Sequence, residues 1–305
     1  MIIEILSIAV LALTLIGLSR WLWWFTVIDF FRLHYALLAL ILMFFAGITM
    51  NLPFLILNVI TFTINLIRMR SFMPVFDRNP QCMDKTIFSV NAHKSNKKPE
   101  KLKKIIKNAN PDVLLIMEMT DHLKDALKEE LAYYPHTLST CVRDGFSIYL
   151  LSKHPMEDKH VHHCPKGKTP LLCAKITLNG TRYQIYSAHP KPVLSKKWRY
   201  ERYAYFKEIE NILKKQNLPI IMLGDFNSVP WEPHFKNFLQ NNGLKSTLDG
   251  QGYCITWPAF LPFFGVPMDH ILIEKDQRFD NLCIGPYCGS DHYPISIDLD
   301  NKARA

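Results

Sequence analysis

The chain has 305 residues, a formal charge of +9 and a pI near 9.1. That balance favours a polyanionic partner, whether nucleic acid, phospholipid headgroup or phosphorylated metabolite, and charge alone does not choose among them. Seven scattered cysteines without a Cys-x-x-Cys pair argue against a structural zinc site or a dithiol motif, and read as mostly free thiols in a reducing compartment.

Hydrophobic residues, 49% of the chain, crowd into residues 1–70. Three apolar stretches, 5–18, 35–50 and 52–67, are each a little shorter than the roughly 20 residues that cross a bilayer. The first can extend through Trp21, Trp23, Trp24 and Phe25, an aromatic cluster suited to a membrane interface, and Asn51-Leu52-Pro53 makes a tight turn between the other two. Met1-Ile2-Ile3-Glu4 offers neither the positive start nor the small-residue cleavage site of a signal peptide. Residues 1–70 therefore read as a retained anchor of about three transmembrane helices, because so much contiguous apolar sequence lacks the polar face of a buried hairpin. With three spans, Arg20 and Arg32 share a side with Arg68, Arg70 and Arg78, and the positive-inside rule puts that side, and the catalytic part, in the cytoplasm.

Residues 71–85, which hold Pro74 and Pro80, read as a linker to a globular domain over 86–300. A short strand over 86–90 ends at Asn91. A lysine-rich run from Lys94 to Lys107 carries Leu102, Ile105 and Ile106 at helical spacing, giving a helix from Pro99 with a basic outer face. The strand over 112–117 delivers Glu118, and Asp121 caps a helix through Leu131. Strands follow near 137–142 and 146–151, joined by Asp144-Gly145. His160, His162, His163 and Cys164 crowd a stretch that reads as a surface loop. A hairpin of 171–178 and 182–187 around Asn179-Gly180 ends at Ala188-His189-Pro190, and a long helix covers about 195–215.

The apolar run 218–223 then meets Gly224 and delivers Asp225 and Asn227. Positions i and i+2 of a strand share a side, so both can face one cavity, although a strand ending in an Asx turn gives the same residues. A helix over 232–241 and strand-like segments at 254–257, 268–273, 282–284 and 293–299 complete the chain, with Gly289-Ser290-Asp291-His292 between the last two. Alternating strands and helices with many hairpins give an α/β layered sandwich with mixed sheets. Asn91, Glu118, His189, Asp225, Asn227, Asp269, Asp291 and His292 all stand at the ends of apolar strands. A carboxylate-and-amide set of this kind suits a phosphate and a divalent cation.

Leu223-Gly224-Asp225-Phe226-Asn227, Ser290-Asp291-His292-Tyr293-Pro294, Met268-Asp269-His270-Ile271, Met117-Glu118 and Ala188-His189-Pro190 resemble the motifs of the endonuclease/exonuclease/phosphatase superfamily, in order over about 86–299. The apolar leader resembles that of a membrane-anchored bacterial subgroup, which implies a bacterial inner membrane. The resemblance implies a four-layer α/β sandwich of two mixed sheets flanked by helices, preceded by N-terminal transmembrane helices. It implies Mg²⁺ or Mn²⁺ held by Glu118 with Asn91 and Asp291, and catalysis by His189, Asp225, Asn227, Asp269 and His292. Asp269 would fix the His292 imidazole. Either His292 or Asp225 would be the general base, Asn227 would orient the phosphate, and His189 would stabilise developing charge.

Val266-Pro267-Met268-Asp269-His270 departs from the Trp-Cys-Asp-Arg of the inositol phosphatases, and the marks of the repair nucleases are missing. The implied activity is membrane-anchored, metal-dependent phosphodiester hydrolysis with a nuclease-like substrate. The alternatives are a sphingomyelinase-like enzyme acting on lipid headgroups and an inactive membrane-bound scaffold.

Overall fold

The structure, a computed structural model, describes residues 1–72, 86–140 and 147–299. Residues 1–72 are helical: α1 (Ile2–Ile16), the short α2 (Trp23–Asp29), α3 (Arg32–Ile48) and α4 (Leu52–Met69). The first apolar stretch does not run on through the tryptophans. Helix α1 ends at Gly17, and the chain restarts as α2, bent by 60° from α3. Leu52–Phe72 is long and apolar enough to cross a membrane, and α1 is shorter.

In the bundle of α1, α3 and α4, polar side chains of α1 and α4 are buried beside Ala36, Ala39, Leu42 and Ala46 of α3, while the outside is apolar. Arg32, fully buried, donates to Asp29, to the Thr14 carbonyl and to Asn65 Oδ1. Asn58 donates to Ser7 Oγ and Asn65 to Thr14 Oγ1, both at 2.9 Å. The outer faces expose Ile8, Leu40, Ile41, Phe44, Ile56 and Ile60. These bonds also fix the topology: the end of α1, the start of α3 and the end of α4 meet at one pole, next to the globular domain.

In that domain β1 (Ile87–Asn91), α5 (Pro99–Ala109), β2 (Val113–Met117), α6 (Asp121–Ala126), α7 (Lys128–Leu131), β3 (His136–Thr140) and β4 (Ile148–Ser152) form the first half. Then come β5 (Met156–Cys164), β6 (Thr169–Leu178), β7 (Thr181–Ala188), α8 (Lys196–Leu213), β8 (Ile220–Asp225), α9 (Pro233–Asn241), β9 (Leu244–Ser246), β10 (Asp269–Glu274), β11 (Phe279–Ile284) and β12 (Ile295–Leu299). One six-stranded sheet has the order β11-β12-β1-β2-β4-β3, the other β5-β6-β7-β8-β10-β9. Among the described residues only β1–β2 and β7–β8 are parallel pairs, so both sheets are mixed.

Side-chain alternation builds the four layers. Val113, Leu115 and Met117 of β2 face Ile221 and Leu223 of β8 in the core between the sheets. Their neighbours Leu114 and Ile116 pack outward on Leu102 and Ile106 of α5, whereas Ile220 and Met222 pack outward on Tyr205 and Ile209 of α8. Every one of these side chains is at most 8% exposed, so each strand run stays apolar on both faces.

Three local expectations change. The cap of α6 is Thr120, whose hydroxyl accepts from the Leu123 N–H, and the helix breaks at Leu127. His160, His162 and His163 lie in β5, an edge strand paired with β6, where His160 and His163 are exposed and His162 is half-buried. Cys164, Cys173, Cys254 and Cys288 are buried free thiols as expected, but Cys283 is disulfide-bonded. The expected linker and the Asp144-Gly145 turn lie outside the described residues, apart from the helical turn Arg70–Phe72.

Candidate active site

Chain direction explains why the strand-end residues meet. Parallel strands end at the same edge, so β1 and β2 deliver Asn91 and Glu118 side by side, and β7 and β8 deliver His189 and Asp225. Strand β10 runs the other way and therefore starts there, with Asp269 directly opposite Asp225. Strand β12 is antiparallel to β1, so Asp291 and His292, which precede it, reach the same edge.

Asn91 is the hub. Its Nδ2 donates to Glu118 Oε1 and to Asp225 Oδ2, both at 3.1 Å, while its Oδ1 accepts from the His93 N–H. Glu118 sits at φ 55°, and its second oxygen accepts from the Lys94 N–H at 3.1 Å. Asp225 Oδ2 also faces His189 Nε2 at 3.6 Å and His292 Nε2 at 3.7 Å. His292 Nδ1 is 2.8 Å from Asp269 Oδ2, an ion pair that fixes which ring nitrogen turns to the cavity. Asp225 and Asn227 do line one cavity, but Asn227 arrives by an Asx turn. Its N–H donates to Asp225 Oδ1 at 2.8 Å, its φ is 49°, and its amide donates to the Pro190 carbonyl.

Burial and charge set the proton affinities. Desolvation raises the Asp225 carboxyl to about 7, against the pull of His292. Burial opposes charge on His292, but Asp269, Asp225 and Asp291 outweigh it and push the imidazolium up to about 10. His189, fully enclosed, is held down to about 4 by desolvation, which leaves it neutral.

Two side chains here were not singled out by sequence. His93 Nδ1 lies 3.1 Å from Asp291 Oδ1 and 3.8 Å from Glu118 Oε2, and Trp257 Nε1 donates to Asp291 Oδ2. His93 stands on the loop after β1, and Trp257 ends the stretch expected as a strand over 254–257, which in the structure makes only an isolated bridge to Val266. Arg202, buried in α8, holds the loop after β8 through the Asn227 carbonyl, Ser228 Oγ and Glu232.

Glu118, Asn91 and Asp291 are oxygen donors of the hard, Mg²⁺-binding kind, and Glu118 opens to the cavity. The buried trio Asp225, Asp269 and His292 also has ligand atoms within 4.8 Å of one another. Both sets already bond neighbouring side chains, but Glu118 and Asp291 are 18% and 28% exposed whereas the trio is buried, so the Glu118 side is the more open to a hydrated cation.

Residues 88–292 match the model of the Endonuclease/Exonuclease/phosphatase family. The chain belongs to that family. Its members are phosphoric ester hydrolases that depend on divalent metal ions, and this protein is such a hydrolase. No curated protein matches the chain. Among solved structures it is similar to humanized TDP2 of D. rerio, at 18% identity and TM-score 0.56, covering 69% of this chain and 96% of that one. Beta toxin of Staphylococcus aureus gives 19%, 0.53, 71% and 100%, and the 3′ phosphatase NExo of Neisseria, bound to a DNA hairpin, gives 15%, 0.55, 71% and 99%. At these identities the likeness is one of fold. It covers the layered domain of this family member and supports the four-layer sandwich.

Proposed function

We propose that the protein is a membrane-anchored, Mg²⁺-dependent phosphodiesterase that hydrolyses its substrate by in-line attack of water. The observation that carries this reading is the convergence of Asn91, His189 and His292 on one oxygen of Asp225, beside Glu118. Glu118, with Asn91 and Asp291, would hold the cation, which supplies neutralisation of charge on the phosphoryl oxygens. Mn²⁺ has the same ligand preference.

Of the two candidate bases the geometry favours Asp225. His292 is committed to Asp269 through Nδ1 and carries a positive charge, so it suits a phosphoryl oxygen rather than a proton. Asp225 takes a proton from the attacking water. The new P–O bond forms as the ester P–O bond breaks, and the leaving oxygen recovers a proton, so diester and water become monoester and alcohol. His189, neutral, donates from Nε2 to the developing charge, and the second amide hydrogen of Asn227 is free for a non-bridging oxygen.

The bundle of α1, α3 and α4 supports the anchor. Its polar groups bond one another and its apolar faces lie outside, the arrangement that lipid demands and water penalises. For the side of the membrane, Arg20, Arg68 and Arg70 at the domain's pole favour the cytoplasm. Arg32 drops out of that count because it is buried against Asp29, and the disulfide of Cys283 favours an oxidising compartment. Protease protection of the domain in sealed vesicles reads the side directly.

The test of the chemistry uses the full chain in detergent with bis(p-nitrophenyl) phosphate. Mg²⁺ should support turnover, a chelator should abolish it, and Glu118→Gln should lower kcat by at least ~10²-fold. No turnover of any phosphoester by the wild type would leave a scaffold instead of an enzyme.

A further inference from the structure

The catalytic cavity, about 380 Å³, is lined by Asn91, Glu118, Asp225 and His292 and also by residues from the N-terminal helices. Val27 of α2 and Phe30 and Phe31 just after it stand in the same wall as Leu194 and Trp198. This wall is fixed, not draped. Phe30 belongs to the core between the sheets, and Val27 and Phe31 pack on it. The Asp29 carbonyl accepts from Trp231 Nε1 at 2.7 Å, the Trp231 carbonyl accepts from Arg68 at 3.0 Å, and His34 Nε2 bonds the Phe263 carbonyl at 2.8 Å.

The apolar wall opens towards apolar surface. Leu194 is 63% exposed, Trp21 89% and Phe263 75%. They flank the pole where the helices enter the domain, where a bilayer interface would meet them. Lys94 is the only lysine or arginine lining the cavity among the described residues. Two lysines of α5 are engaged outside it: Lys101 lies over Tyr287, and Lys103 pairs with Glu129. A polyanion needs a track of cations leading to the scissile bond, whereas this site joins a polar catalytic floor to an apolar wall.

We propose that the substrate is an amphiphilic phosphoester taken from the bilayer, its phosphate over Glu118 and Asp225 and its apolar portion against Val27, Phe31 and Leu194. The N-terminal helices are then part of the substrate site as well as a tether. The proposal rests on the hydrolase reading given above, and the experiment separates the two.

The full chain, in one detergent at one concentration, is assayed on p-nitrophenyl phosphodiesters whose second ester group is methyl, hexyl or dodecyl. Water attacks phosphorus and p-nitrophenolate leaves in every case, so only the alkyl group varies. Burial of a few methylene groups against the wall should raise kcat/KM from methyl to dodecyl by at least roughly thirtyfold, mostly through KM. Leu194→Asp, at an exposed position, and Val27→Asp should each cut that ratio at least tenfold, with circular dichroism matching the wild type. The ratio is read within each variant, so partial misfolding, which lowers all three rates together, does not mimic the effect. Turnover that is indifferent to chain length overturns the amphiphile and leaves the hydrolase intact. Plasmid DNA or RNA cleaved in preference to the dodecyl ester overturns it in favour of nucleic acid. Failure to cleave any ester overturns the hydrolase reading itself.

Discussion

Gly224→Ala is a sharp probe of how the site is built. Gly224 stands at φ +149°, and a Cβ there would lie 1.9 Å from the Ala188 carbonyl oxygen. Ordinary contact needs about 3.4 Å, so β7 and β8 would have to part locally by about 1.5 Å. Their next residues are His189 and Asp225, whose facing atoms are 3.6 Å apart. The backbone clash should cost about 2–4 kcal/mol of stability, and a displacement of about 1 Å at the reacting groups should lower kcat by about 10²-fold. Urea unfolding of the detergent-solubilised chain reads the first, and hydrolysis of bis(p-nitrophenyl) phosphate the second. A Gly224→Ala protein with wild-type stability and wild-type kcat would refute the claim that the close approach of these strands sets the catalytic geometry.

Asp269→Asn should leave KM nearly unchanged while kcat drops by about 10²–10⁴-fold, because His292 loses the carboxylate that orients and charges it; steady-state rates within threefold of wild type would contradict this. Arg202→Met strips the partner from Glu232, 1% exposed, and should cost about 3–5 kcal/mol, with part recovered in the Arg202→Met/Glu232→Met pair. Chemical denaturation measures both, and a single-variant loss below about 1 kcal/mol would argue against it. His270, bonded to Ser246 Oγ and the Ser228 carbonyl, is lowered by burial to about 4, below its unfolded value of 6.5. Its contribution is therefore complete above pH ~6.5 and falls by ~1.4 kcal/mol per pH unit down to about pH 4. Wild type should thus lose about 2 kcal/mol more than His270→Gln between pH 6.5 and 5, and equal losses in the two unfolding series would remove His270 from the account.

The layers and the polar edge were legible in the chain because their signals are local. Continuous apolar runs marked β2 and β8, Asn179-Gly180 marked the β6–β7 hairpin with both residues at positive φ, and Leu102 and Ile106 marked α5. Where the local signal was ambiguous, pairing decided. The histidines near residue 160 look like a loop until β6 supplies their ladder partners, and Thr120 caps α6 although Asp121 is as good a capping residue.

Residue type and position determined which side chains could do the chemistry: Asn91, Glu118, His189, Asp225, Asn227, Asp269, Asp291 and His292 are readable as polar ends of apolar strands. Strand direction alone decided that they share one edge, since a periodic pattern is the same in either direction. The leader shows the same limit. Its hydropathy marks an apolar segment, but only the docking of α2 on the domain puts Val27, Phe30 and Phe31 in one cavity with Glu118 and Asp225, because hydrophobicity records what avoids water and not what it packs against.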